Sequence, residues 1–255
     1  MTEADDAVAL LAQRAELLRS LRDDPRGKQE LAAAQSVSRS TVDRAVRTLE
    51  ARGFVARDDA VSLTLRGRLA LDAYDEFVDL LDALDAAGDL LDVLLADATI
   101  GGALLRGADV VQSNPIAPQR PYVAYQSIVE DATAIRGFAP VVLDENVAQF
   151  RDRIVDGEAP VDLTVAPAAL DELVSSHADA VEESLDTGRL TLRKATTELD
   201  YGLVLAEQPE RTVVCALVFD DHGLAGIVEN DERHAVEWAD SVYERIRAAA
   251  ELLHG

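Results

Sequence analysis

Residues 28–65 read KQELAAAQSVSRSTVDRAVRTLEARGFVARDDAVSLTL, and their order of helix, tight turn, helix and short hairpin is that of a winged helix-turn-helix. Pro25 and Gly27 break the chain before a first helix, Lys28 to Ala34. The polar turn Gln35-Ser36-Val37-Ser38 then leads to an N-cap at Ser38 or Ser40, because a short hydroxyl side chain accepts from the N–H groups a first helical turn leaves free. A second helix runs from about Ser38 to Arg52 and stops at Gly53, a residue suited to the left-handed C-terminal position. Phe54 to Arg57 and Ala60 to Leu65 flank Asp58-Asp59 as a hairpin, the wing.

At 100° per residue Val42, Val46 and Leu49 fall on one stripe of the second helix, and Ser40, Arg44 and Arg47 fall opposite it. One face packs and the other is free. A helix entering a major groove needs side chains that reach base edges or phosphates, and arginines with small hydroxyl residues at the N-terminal turn suit that work. Ser38, Arg39, Ser40, Thr41, Arg44 and Arg47 are therefore the candidate contacts to double-stranded DNA.

The net charge of -24 runs against this, since nucleic-acid binders are normally basic. The excess is not evenly shared: residues 1–70 hold 12 Lys+Arg against 11 Asp+Glu, and residues 71–255 hold 12 against 37. The DNA-contacting head is near neutral and the body is acidic. Only Lys28 and Lys194 are lysines, and the carboxylates are spread along the chain rather than gathered in runs. This pattern resembles that of proteins from halophilic archaea. At roughly 1 M salt the Debye length is about 3 Å, so contact-range arginine interactions carry recognition and a basic surface is dispensable.

The hydrophobic fraction of 48% supports two modest cores. No basic leader or membrane-length apolar run is apparent, so a cytoplasmic protein without membrane contact is expected. Cys215, the one cysteine, lies in an apolar run and reads as a buried small hydrophobe. Three parts are expected: a winged helix over residues 1–65, a linking and dimerisation helix over 66–95, and an α/β domain over 96–255.

Ala7 to Leu21 carries Val8, Leu11, Ala15, Leu18 and Leu21 at helical spacing. Arg66 to Leu95 reads as one long helix with a heptad seam of Ala70, Ala73, Phe77, Leu80, Leu84, Ala87, Leu91 and Leu94, weakened locally by Gly88. Such a seam predicts a homodimer through Phe77, Leu80, Leu84 and Leu91, and two copies suit two DNA half-sites. A connecting region, Ala96 to Gln119, contains a strand-like Ala108 to Val111. Helices are then expected at Tyr122 to Asp131, Glu145 to Val155, Pro167 to Leu185 (one or two) and Arg233 to Leu253. Strands are expected at Ala134 to Phe138, Val161 to Val165, Leu190 to Arg193, Gly202 to Ala206, Arg211 to Phe219 and Gly223 to Val228. The fold class is α+β, with the C-terminal half a mixed α/β sandwich.

A family resemblance rests on Leu63-Thr64-Leu65-Arg66-Gly67, Arg136-Gly137-Phe138-Ala139-Pro140, Val161-Asp162-Leu163-Thr164-Val165, Gly188-Arg189-Leu190 and Tyr201-Gly202-Leu203. The chain resembles archaeal transcriptional regulators whose second domain is named for the methanogenesis and filament regulator of methanogens, a group numerous in haloarchaea. The resemblance implies a transcription factor whose second domain senses an effector. The acidic wing tip departs from the basic tip common in winged helices and puts wing insertion into the minor groove in doubt.

Sensor domains of this kind look similar to phospholipase D halves, whose chemistry needs a histidine followed two residues later by lysine. None of His177, His222, His234 and His254 is so followed. Asp220, Asp221, His222, Asp231 and His234 could ligate a metal, but Asp220 to Gly223 is more simply a hairpin turn. No phosphate loop or nucleophile–base pair stands out. No enzyme, cofactor or metal is therefore expected. Because ligands favour strand ends of α/β sheets, Arg136, Arg193, Lys194 and Tyr201 are the candidates to hold a small anionic metabolite. The alternative is an acidic second domain that binds another protein and no small ligand.

Overall fold

The computed structural model describes residues 2–157 and 159–254, and for Glu145 and His254 the backbone alone. By its internal packing the chain divides into a unit ending at Leu81 and a second beginning at Asp82. The first unit opens with α1 (Glu3–Arg19), capped reciprocally by Thr2 and Asp5. Next come α2 (Lys28–Ala34), α3 (Arg39–Ala51), and a hairpin of β1 (Val55–Arg57) and β2 (Val61–Leu63). The helices α2 and α3 end alike: Val37 N–H donates to Ala32 O (3.1 Å) and Phe54 N–H to Leu49 O (2.9 Å), each around a residue in the left-handed region, Ser36 (φ 53) and Gly53 (φ 73). These six-to-one bonds satisfy carbonyls that a helix end otherwise leaves free.

Val42, Ala45, Val46 and Leu49 of α3 are buried with Leu18, Leu31, Phe54, Val61 and Leu71 in one core. The expected stripe is thus the packed one. Arg26 also pairs with Val61 (N···O 2.9 and 3.0 Å), adding a short third edge to the wing that Pro25 had masked in the sequence. Thr64 caps the long helix α4 (Leu65–Ala86), its Oγ1 accepting from Gly67 N–H (2.9 Å) and donating to Gly53 O (2.6 Å).

The expectation of one helix from Arg66 to Leu95 is corrected. The chain leaves α4 after Ala86, and a separate turn, α5 (Gly88–Leu91), follows. Ala87 and Leu90 are buried and Leu90 packs on Gly226, while Gln112 Nε2 donates to the Ala86 carbonyl (3.2 Å). Burial of these two residues in the second unit, at a glycine that favours a helix least, outweighs continuation of the heptad. Leu91 and Leu94 therefore do not extend the seam.

The second unit continues with α6 (Gly102–Leu105), β3 (Asp109–Gln112), α7 (Arg120–Glu130), β4 (Ala134–Ala139), α8 (Asp144–Val155), β5 (Val161–Val165), α9 (Pro167–Ser176), α10 (Ala178–Asp186), β6 (Leu190–Lys194), β7 (Gly202–Glu207), β8 (Thr212–Asp220), β9 (Gly223–Asn230), α11 (Arg233–Ala249) and β10 (Glu251–His254). Its strands form one eight-stranded sheet in the order β10-β6-β5-β4-β7-β8-β9-β3, parallel at β4-β5-β6 and antiparallel elsewhere. Helices α8 to α10 are the β4-β5 and β5-β6 crossovers and cover one face beside α7, while α11 covers the other. Short crossovers of one hand stepping in one direction place their helices together.

The final helix was expected to reach Leu253. Instead Ala250 adopts an extended backbone (φ -83, ψ 152) and β10 pairs antiparallel with β6. An unpaired β6 edge is satisfied at the expense of one helical turn. Among the described residues, no helix is long and apolar enough to cross a membrane.

Candidate nucleic-acid interface and sensor pocket

Ser38 is the N-cap of α3, its Oγ accepting from Thr41 N–H (3.2 Å) and lying 2.8 Å from both Ser40 Oγ and Thr41 Oγ1. The three hydroxyls form a cluster at the helix N-terminus, where free N–H groups and the positive end of the dipole favour a phosphate oxygen. Arg39, Arg44 and Arg47 are exposed on the same helix, and none of the three forms an ion pair among the described residues. The nearby cation Lys28 is otherwise committed: its ammonium donates to Asp43 and, with Coulombic help from Arg47 and Arg39, holds that carboxyl below its usual range. All six residues picked from the sequence are exposed together on α3. At the wing Asp58 and Asp59 are exposed, and Arg57 lies 3.4 Å from Glu50 across to α3.

Of the four sensor candidates, Arg136 and Arg193 share the α11 face of the sheet, and each is engaged by a carboxylate. Arg136 sits on the α11 face of the sheet, 2.6 Å from Asp240 and 3.7 Å from Glu207, with its guanidinium 6.0 Å from the centre of the Tyr243 ring. Arg193 pairs with Asp162, which Arg247 also reaches at 3.3 Å. Lys194 stands at the carboxyl end of β6 in register with Val165 on one side and Glu251 on the other. Tyr201 is buried edge-to-face on Phe138 (5.4 Å between centroids), its hydroxyl 3.3 Å from Thr99. Arg193 and Lys194 end β6 and Tyr201 precedes β7, whereas Arg136 lies within β4 and not at its end; facing and pairing depend on the opposite wall, which no local pattern reveals.

A cavity of about 120 Å³ lies instead on the other face, between the sheet and α8, α9 and α10. The loop Val141-Val142-Leu143 lines it at the carboxyl end of β4, Val204 and Leu217 form its floor, and Val147 and Phe150 of α8 and Val181 of α10 form its wall. Asn146, Tyr125, Ser184 and Arg151 are the polar side chains among its lining residues. Asn146 is 9% exposed and its Oδ1 has no partner among the described residues. Tyr125 is 3% exposed, and burial pushes its phenol pKa far up, so it stays neutral. At the rim Arg151 is already held by Glu183 in a two-bonded pair (2.7 Å each). None of these was singled out from the sequence; the helical spacing of Asn146, Val147 and Phe150 looks like ordinary core.

Asp144, Glu172 and His177 each bring a possible ligand atom within 4.8 Å of the other two. His177 Nε2 lies 3.0 Å from Asp144 Oδ1, an arrangement that an imidazole–carboxylate hydrogen bond explains as well as a cation would. The group considered from the sequence is dispersed: His222 N–H donates to Asp220 in the β8-β9 turn, Asp231 pairs with Arg211 (2.7 Å), and His234 Nε2 lies 3.2 Å from Arg106 O.

Comparison with known proteins bears on both units. Residues 118–249 match the middle domain of the methanogenesis regulatory protein FilR1, and residues 2–86 match the HVO_A0261 N-terminal domain. The chain belongs to this family of archaeal transcriptional regulators. The FilR1-type match spans α7 to α11, and so contains the whole cavity. No curated protein matches the chain. Among solved structures, TrmBL2, an archaeal chromatin protein described as showing a novel mode of DNA binding, is similar at 15% identity, over 97% of this chain and 98% of that one, with a TM-score of 0.45. The phospholipase D family member Nuc from Salmonella typhimurium is similar at 10% identity, over 58% of this chain and 99% of that one, with a TM-score of 0.45. NucT from Helicobacter pylori is similar at 8% identity, over 57% and 98%, with a TM-score of 0.43.

Proposed function

We propose that this regulator is a cytoplasmic homodimer that binds double-stranded DNA through α3 and senses a small effector in its second unit. One observation carries the DNA reading: Ser38, Arg39, Ser40, Thr41, Arg44 and Arg47 are exposed together on the helix that a winged helix presents to the major groove, with none of the three guanidiniums in an ion pair among the described residues. The acidic tip Asp58-Asp59 argues that the wing lies along the backbone or away from it and does not enter a minor groove. Dimerisation is supported by α4, where Phe77 (50%), Leu81 (44%) and Leu84 (37%) expose large apolar side chains at helical spacing. The effector reading is supported by the cavity, since Arg136 and Arg193 already face carboxylates. A regulatory, non-catalytic role fits the family.

The experiment is to sequence DNA crosslinked to the protein in its native host and to measure binding of the recovered fragments at high potassium chloride. Specific binding that is lost in the Arg44→Ala, Arg47→Ala double variant supports the reading. Recovery of no enriched sequence, or an unaffected double variant, overturns it.

A further inference from the structure

The cavity beneath α8 to α10 combines three properties that narrow its occupant. Its walls are aliphatic and aromatic, from Val147, Phe150, Val181, Val204 and Leu217. Its volume, about 120 Å³, is close to that of engineered apolar cavities, on the order of 150 Å³, that take up benzene. And it contains one unsatisfied acceptor, Asn146 Oδ1, on a side chain nine-tenths buried. A buried acceptor with no partner costs free energy that a ligand donor would restore.

Among the described residues, one cation lines the cavity, Arg151. Its Nε and Nη2 donate to Glu183 along one edge of the guanidinium and its Nη1 donates to Asp152 (2.7 Å each), so it is already engaged by two carboxylates. Ser184 directs its hydroxyl to Ala180 O (2.7 Å) within α10. Leu143 and Val165 bring its lining to the carboxyl ends of β4 and β5, the end at which parallel sheets commonly receive ligands.

We infer that this cavity binds a neutral, mainly apolar molecule of about one aromatic ring that donates a single hydrogen bond to Asn146 Oδ1. The inference rests on the sensing role proposed above and assigns its ligand class: a phenol-like or small N–H-bearing compound, not an anionic metabolite. Filling the space would fix α8 and α10 against the sheet, which is a change in the same unit that a regulator can transmit.

The probes are phenol, toluene and benzoate, which share size and differ in donor and charge, titrated calorimetrically into the full-length protein at high potassium chloride. Phenol should bind saturably and raise the unfolding temperature, and it should bind about tenfold more tightly than toluene, the margin of one hydrogen bond to a buried acceptor. Benzoate should not bind. In Asn146→Leu the phenol advantage should vanish while toluene binding persists. In Val147→Phe, shown folded by circular dichroism, both should be lost. The inference is overturned if neither phenol nor toluene binds the wild type, and the role of Asn146 is overturned if Asn146→Leu keeps the phenol preference. Should inorganic phosphate or benzoate bind instead, with loss in Lys194→Ala, the sensing role stands and the ligand class assigned here is wrong. If no probe of either kind binds or alters DNA affinity, both readings fall together.

Discussion

A Cβ on Gly67 would lie 1.8 Å from the carbonyl oxygen of Phe54. The first turn of α4 therefore rests directly on the backbone that leaves α3, and Thr64 ties the same place by donating to Gly53 O and Phe54 O. This explains the phrase Leu63-Thr64-Leu65-Arg66-Gly67: a strand end, a cap, and a residue without a side chain where two backbones meet. Gly67→Ala should destabilise the first unit by about 3 kcal/mol, at the upper end of overpacking costs because backbone and not a side chain must move. Thermal unfolding followed by circular dichroism checks this, and an unchanged transition would show that α4 can shift freely.

Arg44 and Arg47 stand opposite Val42, Val46 and Leu49, which are buried. Replacing Arg44 by Ala should leave the fold intact and cost about 1 to 3 kcal/mol of DNA affinity if it reads a base, relaxing preference at one position. Replacing a phosphate-contacting arginine should weaken all sequences alike and lower the salt slope by about one. A salt series of mobility shifts on matched and mismatched DNA distinguishes the two roles for each residue.

Ser36 holds the turn between α2 and α3 at φ 53. The left-handed conformation costs a residue with a Cβ roughly 1–2 kcal/mol, and glycine returns part of this through its freer unfolded chain. Ser36→Gly should thus raise stability by about 0.5–1 kcal/mol without changing DNA affinity, measurable by urea unfolding. A loss of stability would mean that the serine side chain supports the turn.

Leu84 is 37% exposed on α4, so an aspartate there costs the isolated subunit little, whereas in a dimer seam it would bury an unpaired charge at a cost of several kcal/mol. Leu84→Asp should therefore sediment as a folded monomer, and Phe77→Asp likewise. If both remain dimeric, the interface lies elsewhere.

The winged helix was legible because its signals are local: a hydroxyl cap, a glycine stop, and a stripe at helical spacing with arginines opposite. The strands from Ala134 to Val228 were legible as apolar runs of strand length, and the crossover helices between them follow from their spacing. What the sequence hid depends on contacts distant along the chain. Ala87 looks like a heptad position until it is buried in the second unit with Leu90, which packs on Gly226. Glu251 to Leu253 extend a helical pattern until the open edge of β6 takes them into a strand. Arg136 and Arg193 look like free cations until α11 and β5 bring Asp240 and Asp162 to meet them, and the cavity exists only because three helices separated in sequence share one face of the sheet.

Glu229 makes another distant relationship testable by pH. It stands on β9 in register with Asp109 on one side and Cys215 on the other. Burial raises its pKa above the ordinary 4.5, and the neighbouring Asp109 carboxylate raises it further, against a smaller opposing effect of Arg211. A carboxyl whose folded pKa is raised binds its proton more tightly in the native state, so its contribution is fully present below the unfolded value of about 4.5 and is lost as pH rises through the folded value. Glu229→Gln, which keeps the shape and stays neutral, should match the wild type in stability near pH 4 and exceed it at pH 7. Adding Asp109→Asn should narrow the difference, because the second cause is then gone. Chemical unfolding at the two pH values, at fixed salt to hold screening constant, measures the gap; a glutamine variant that is less stable at pH 7 would mean that the ionised carboxylate is satisfied where it stands.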